Sequence, residues 1–216
     1  MEERTEELAQ QKARAEEILS DLQDSISYAL RIQQAILPSE QERKEVIYDS
    51  AVFYQPRDVV SGDFYWFKSV GSRRMFAAID CTGHGVPGAF LSLVGHNALD
   101  RVTKVYTEPH KVLDKLNEHV LMLLRQDIRT EASIPAELLR DLALPVEQLP
   151  STYMGGQDGM DLAMVAINWE HMTVEFAGAN NPLFLVRNGE LQEYKSDKFA
   201  ICSFEPGAKN YEVQKL

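Results

Sequence analysis

Cysteine is nearly absent from this chain: Cys81 and Cys202 are the only two in 216 residues. Two are too few for a disulfide scaffold, and they lack the spacing of a zinc site. Their scarcity fits a reducing, cytoplasmic setting. Positive charge is also in deficit, with 22 Lys and Arg against 33 Asp and Glu and a formal net charge of −11. A nucleic-acid binder would normally present a basic face, so nucleic acid is not an expected partner. A phosphorylated protein remains an acceptable substrate, because a bound metal reverses the local potential. No apolar run reaches the roughly 18 residues of a membrane span. The charged N-terminus lacks the apolar core of a signal peptide. This segment is therefore not expected to touch a membrane, although an upstream sensor or membrane region is compatible with it. What is present is ordinary for a soluble globular protein: 44% apolar and 25% charged residues. The length suits one substantial domain plus an accessory element.

Glycine and proline are missing from the first 37 residues, and that stretch reads as one long helix. Leu8, Ala15, Leu22, Ala29 and Ile36 recur every seven residues. Gln11, Ile18, Ser25 and Ile32 fill the partner positions of the heptad, which is a coiled-coil pattern with two polar interruptions. Leu19 and Ile26 widen the stripe. The expectation is a helical linker or coiled coil over residues 1–38 that makes a homodimer. The weak seam suits a helix that shifts to regulate the domain behind it. Pro38 ends the helix.

Residues 39–216 read as a separate domain. A charged link, Ser39 to Glu45, precedes a predicted strand over Val46 to Tyr54. Phe64 to Val70 and Arg74 to Asp80 are predicted strands joined at Gly71-Ser-Arg73. Helices are predicted from Pro87 to about Val105 and from Pro109 to Leu124, with apolar residues on one face. Residues 126–157 carry three prolines and one predicted short helix, Ala136 to Leu142. Strands follow over Leu162 to Asn168 and Met172 to Ala177. A hairpin, Pro182 to Arg187 and Glu190 to Tyr194, turns on Asn188-Gly189. This order of hairpins and helices predicts an α+β layered architecture.

Asp63, Asp80 and Asp161 each sit where a predicted strand meets a turn. Asp80 is followed by a bend with three glycines, Gly83, Gly85 and Gly88. Taken singly, each aspartate is readily explained as a turn residue that bonds nearby backbone. Together they place negative charge beside buried strands with few Lys or Arg nearby, which is costly without a partner. Oxygen-only donors point to magnesium or manganese rather than zinc. Two such ions roughly 3.5–4 Å apart suit in-line attack of water on phosphorus. Asp58, Asp100, Asp158 and Asp197 read as turn aspartates. His84 is either a general acid or phosphate contact, or a residue that fills the turn, and no partner for it is visible in the sequence. Cys81 has no partnering base and reads as a buried thiol. Ser61 and Ser92 show no nucleophile pattern.

Five motifs occur in order: Tyr28-Ala-Leu-Arg-Ile-Gln-Gln-Ala-Ile-Leu-Pro38, Val60-Ser-Gly-Asp-Phe-Tyr65, Asp80-Cys-Thr-Gly-His-Gly-Val-Pro-Gly-Ala-Phe90, Asp158-Gly-Met-Asp-Leu-Ala163 and Ala177-Gly-Ala-Asn-Asn-Pro182. From Tyr28 onward the chain resembles bacterial serine/threonine phosphatase domains of the stage II sporulation protein E type, within the metal-dependent protein phosphatase 2C (PP2C) superfamily. The resemblance implies two antiparallel sheets in a sandwich flanked by helices, with two Mn²⁺ or Mg²⁺ ions at one end. Asp63 would bridge the metals and Asp80 would bind one of them. The backbone carbonyl of Cys81 and the carboxylate of Asp161 would add ligands. Asp63 and Asp80 would thus be the catalytic pair, and a metal-activated water would hydrolyse phosphoserine or phosphothreonine on a partner-switching, anti-sigma antagonist-like protein. The alternative is a non-catalytic dimerising module of the same fold. Nothing from Lys195 to Leu216 matches the Asp-Gly motif that usually supplies a further ligand. The expectation is therefore a domain short of its C-terminal strands, with weak activity or none.

Overall fold

The computed structural model describes residues 2–124, 158–202 and 210–216. Helix α1 runs from Glu2 to Ile36, over the stretch that lacks Gly and Pro. For much of its length it stands in solvent: Leu8, Ile18, Leu19 and Leu22 are all more than half exposed. Only its C-terminal part meets the domain, where it packs on helix α3 (Gly85–Val102).

Residues 39–45 are not a link. Ser39 caps a second helix, α2 (Glu40–Val46). The Ser39 hydroxyl accepts the Glu42 N–H, and the Glu42 carboxylate accepts the Ser39 N–H at 2.8 Å. This reciprocal pair is a capping box, and it satisfies two donors that would otherwise face water alone. The predicted strand over Val46 to Tyr54 is also absent. Val46 closes α2, and the residues after it form an irregular loop in which Phe53 is 92% exposed. Arg43 pins that loop through Ser50, whose hydroxyl accepts from Nη1 at 2.8 Å. A strand needs a neighbour for its ladder, and among the described residues this segment finds none.

The sheet begins with β1 (Phe64–Val70) and β2 (Arg73–Cys81), an antiparallel hairpin turned at Gly71 with φ +57°. Strands β3 (Met160–Asn168) and β4 (Thr173–Ala179) continue it antiparallel, and β7 (Gln214–Lys215) closes the edge. The order is β1-β2-β3-β4-β7. Strands β5 (Leu183–Arg187) and β6 (Glu190–Tyr194) form a separate hairpin. Asn188 and Gly189 both adopt positive φ at its tip, as the Asn-Gly signal requires. The α+β class with antiparallel sheets and flanking helices is thus present, and among the described residues the second sheet is this two-stranded hairpin. The predicted helix over 136–142 lies outside the described residues.

Alternation along the strands decides where the core sits. Phe64 and Trp66 on β1, Met75, Ala77 and Ile79 on β2, and Leu162 and Met164 on β3 share one face. Against it pack α3 and α4 (Pro109–Leu123) through Leu99, Leu113 and Leu116, all wholly buried. Each such side chain contributes about 1.5–3 kcal/mol relative to exposure. Asp100 is not a turn residue. It sits on α3 and accepts from Trp66 Nε1 at 3.1 Å and Lys68 Nζ at 2.9 Å, tying helix to hairpin. The result is a rigid hairpin whose C-terminal end carries Asp80 next to the start of α3.

Candidate metal centre

Strand pairing brings the candidate acids together. Phe64 pairs with Ile79, so Asp63, one residue before β1, falls beside Asp80, one residue beyond that pair. Their carboxyl groups lie within hydrogen-bonding reach of one another. Neighbouring atoms exclude part of Asp80's water, and this pushes its carboxyl above the usual carboxylate range. The hydrogen bond and negative charge of Asp63 push it further the same way. Asp161 lies directly across the ladder, with Asp80 and Asp161 as register partners. Its Oδ1 accepts from Asn180 Nδ2 at 2.8 Å. Asn180 has φ +58°, a conformation Asn tolerates better than most residues.

Glycines make this proximity possible. A Cβ on Gly62 would lie 2.8 Å from the Gly83 carbonyl oxygen and 3.0 Å from that of Cys81. A Cβ on Gly88 would lie 2.8 Å from the Gly83 oxygen and 2.9 Å from the Gly62 Cα. No methyl fits on either side, so the two loops are in backbone contact. That contact brings the Cys81 carbonyl against the turn that carries Asp63. The Cys81 thiol points into the core, where burial first, and the nearby Asp80 and Asp63 charges next, push its pKa far up. Burial pushes the Cys202 thiol up to about 12. Burial disfavours the thiolate form at both sulfurs, as is usual for structural cysteines.

The Asp63 turn is held from below by α1. Gln33, 2% exposed, donates from Nε2 to the Ser61 carbonyl at 2.6 Å and to Ser92 Oγ at 2.9 Å. Its Oε1 accepts the Ser61 N–H at 3.0 Å. Ser61 Oγ in turn accepts the Asp63 N–H at 3.0 Å. Ser61 and Ser92 thus have structural roles. Sequence alone did not reveal Gln33, because its partners lie far away along the chain. His84 does have a partner: its Nδ1 lies 2.7 Å from Asp58 Oδ2, so Asp58 is more than a turn residue. Thr82 Oγ1 accepts the Gly159 N–H at 3.0 Å and lies 3.5 Å from Asp158 Oδ1, which joins the β2 end to the β3 start.

The donor chemistry fits a hard divalent cation. Two carboxyls press together, a third stands opposite, and no Lys or Arg forms an ion pair with any of them among the described residues. The side-chain set is lean: among the described residues no three His, Cys, Asp or Glu side chains converge into a cluster that could hold an ion. Backbone carbonyl oxygen, such as that of Cys81, is the further donor type this loop supplies.

Comparison with known proteins gives the family and the fold. No curated protein is significantly similar to the chain in sequence. The SiaA-PP2C domain of Pseudomonas aeruginosa superposes with a TM-score of 0.68 at 25% identity, over 92% of this chain and 68% of that one. A structure of the PP2C phosphatase domain and a fragment of the regulatory domain of SpoIIE from Bacillus subtilis matches at 16% identity and a TM-score of 0.49, over 73% of this chain and 38% of that one. RsbX, solved in complex with magnesium, matches at 12% identity and a TM-score of 0.46, over 73% of this chain and 60% of that one. No helix among the described residues is long and apolar enough to cross a membrane. The model of the family "Stage II sporulation protein E (SpoIIE)" matches residues 71–216, from the β1–β2 turn through Asp80 and Asp161 to the last residue, and the chain therefore belongs to that family, with the fold of a PP2C-type phosphatase domain.

Proposed function

We propose that the chain is a metal-dependent protein serine/threonine phosphatase domain (39–216) governed by its N-terminal helix (1–38). The observation that carries this reading is the Asp63–Asp80 pair: two carboxyls within hydrogen-bonding reach beside interlocked loops, with no ion pair to Lys or Arg among the described residues. Asp63, Asp80, Asp161 and the Cys81 carbonyl would hold Mn²⁺ or Mg²⁺, two ions in the full site. When bound, such ions lower the pKa of water and neutralise charge on a phosphoryl group. The protein's own part is to fix the donors. The interlocked glycines set their spacing, the Ser61–Asp63 turn aims one carboxyl, and Asn180 orients Asp161. The substrate class is a phosphoserine or phosphothreonine protein of bacterial signalling, of the partner-switching kind, in the cytoplasm. Exposed Leu8, Ile18, Leu19 and Leu22 support homodimerisation through α1.

A second reading, a dimerising module without turnover, is favoured by the lean side-chain ligand set. Manganese-dependent phosphate release from a phosphoserine protein separates the two. Wild type and Asp80→Asn are assayed together, beside a small phosphate ester. The expected result is hydrolysis by wild type that Asp80→Asn abolishes. Hydrolysis that survives the substitution overturns the metal assignment, and a silent wild type favours the module.

A further inference from the structure

A cleft of about 610 Å³ opens where α1 meets the two motif loops. Ile26 of α1 forms one wall. Val59 and Val86 form others, 53% and 37% exposed. Arg57 and Asp58 supply its charge. Asp58 is already engaged by His84 at 2.7 Å, whereas exposed Arg57 makes no ion pair or hydrogen bond among the described residues. In a chain of net charge −11, an uncommitted cation beside three apolar side chains marks a place for an anionic, partly apolar ligand. Asp58 and Asp63 lie on one loop, and Gly85 of the cleft follows Asp80 on the other. At no more than about 3.5 Å per residue, a polypeptide with its phosphoryl group at Asp63 and Asp80 would enter the cleft within roughly five residues.

We propose that this cleft is the docking groove for the substrate polypeptide beside its phosphorylated residue. Arg57 pairs with an acidic side chain of that segment, and Ile26, Val59 and Val86 take an apolar one. This assignment rests on the phosphatase reading and adds to it a rule of sequence preference: acidic and apolar flanks are favoured, basic flanks disfavoured.

The test is binding, read by fluorescence anisotropy on the full chain with Mn²⁺. Three labelled peptides carrying a non-hydrolysable phosphonate analogue of phosphoserine are compared, flanked by Glu-Leu, Gln-Leu or Lys-Leu. Wild type should prefer the Glu peptide over the Lys peptide by roughly three- to fivefold, the scale of one exposed ion pair. Arg57→Glu should invert that order, and Arg57→Lys should keep it. Thermal melts confirm that each variant is folded. Equal affinities in wild type, or an order that Arg57→Glu leaves unchanged, overturn the groove. So does a change in sedimentation with Arg57→Glu and none in peptide order, which would assign the cleft to a second copy. Hydrolysis of para-nitrophenyl phosphate by wild type reports on the phosphatase reading by itself. An inverted binding order without hydrolysis retains the groove and sinks that reading.

Discussion

The side-chain amide of Gln33 bonds both backbone groups of Ser61, donating to the carbonyl at 2.6 Å and accepting the N–H at 3.0 Å. A helix thereby grips the main chain of the Asp63 turn as a neighbouring strand would. All three groups are buried or nearly so, with Ser61 6% exposed. Water cannot replace the clamp at low cost. Gln33→Leu should therefore destabilise the domain by about 1–3 kcal/mol for each group left unpaired. Gln33→Glu keeps the acceptor for the Ser61 N–H but sets a buried carboxylate oxygen against the Ser61 carbonyl, so near neutral pH it should cost at least as much as Gln33→Leu. Urea denaturation measures the order. A Gln33→Leu protein as stable as wild type would show the clamp to be idle.

Gly62→Ala should cost about 1–3 kcal/mol, because its methyl would meet two backbone carbonyl oxygens at 2.8 and 3.0 Å. The loss of manganese-dependent hydrolysis should be larger than the loss of stability explains, since those carbonyls border the Asp63 turn. Gly71→Ala is the comparison. It meets nothing within 4 Å but must hold φ +57°, a strain of about 1–2 kcal/mol far from the site. Urea melts and phosphate release on both variants decide the matter. Parallel losses of activity would mean that the glycine contact does not set the site.

Asp80 predicts a pH dependence for metal-free protein. Its folded carboxyl lies above its ordinary value of 3.8, so the folded state holds that proton more tightly than the unfolded chain. This contribution is fully present below 3.8 and is lost as pH rises through the raised value. In chelator, Asp80→Asn should match wild type in acid and exceed it towards neutrality. Manganese should raise the wild-type melting temperature at neutral pH and leave Asp80→Asn unmoved. Thermal melts across the acid-to-neutral range, with and without metal, read both. A variant that is less stable than wild type at neutral pH without metal would contradict the argument.

The exposed stripe on α1 predicts self-association. Leu8 at 63%, Ile18 at 60% and Leu22 at 54% exposure share the heptad seam. Sedimentation should show a dimer at micromolar concentration. Ile18→Glu with Leu22→Glu should give a monomer whose domain still melts cooperatively, since neither residue is buried in the fold. A wild-type monomer at those concentrations would remove the coiled coil.

Much of the architecture was legible because it is local. Strands β1 to β4 are short, largely apolar runs bounded by turn signals, α3 and α4 carry one apolar face, and Asn188-Gly189 marks its own hairpin. The Asp63–Asp80 pairing followed from two acids flanking a hairpin. Other features were hidden by distance: Gln33 with Ser61 and Ser92, Asp58 with His84, Asp100 with Trp66. A side chain's partner across the fold leaves no periodicity in the sequence. The segment from Val46 to Tyr54 misled for another reason. Its apolar residues imitate a strand, but a strand is defined by a neighbour, and none of the described residues pairs with it. The Ser39–Glu42 capping box was a local signal, masked by the charge density around it.

The close approach of Gly62, Gly83 and Gly88 makes two loops, distant in sequence, into one steric unit. Neither loop can be exchanged alone. A graft of the Asp63 turn from another phosphatase would bring half of a matched surface and press against a loop shaped for a different half. Any effort to alter the spacing of Asp63 and Asp80 must move both loops together, so the smallest transferable part is the pair.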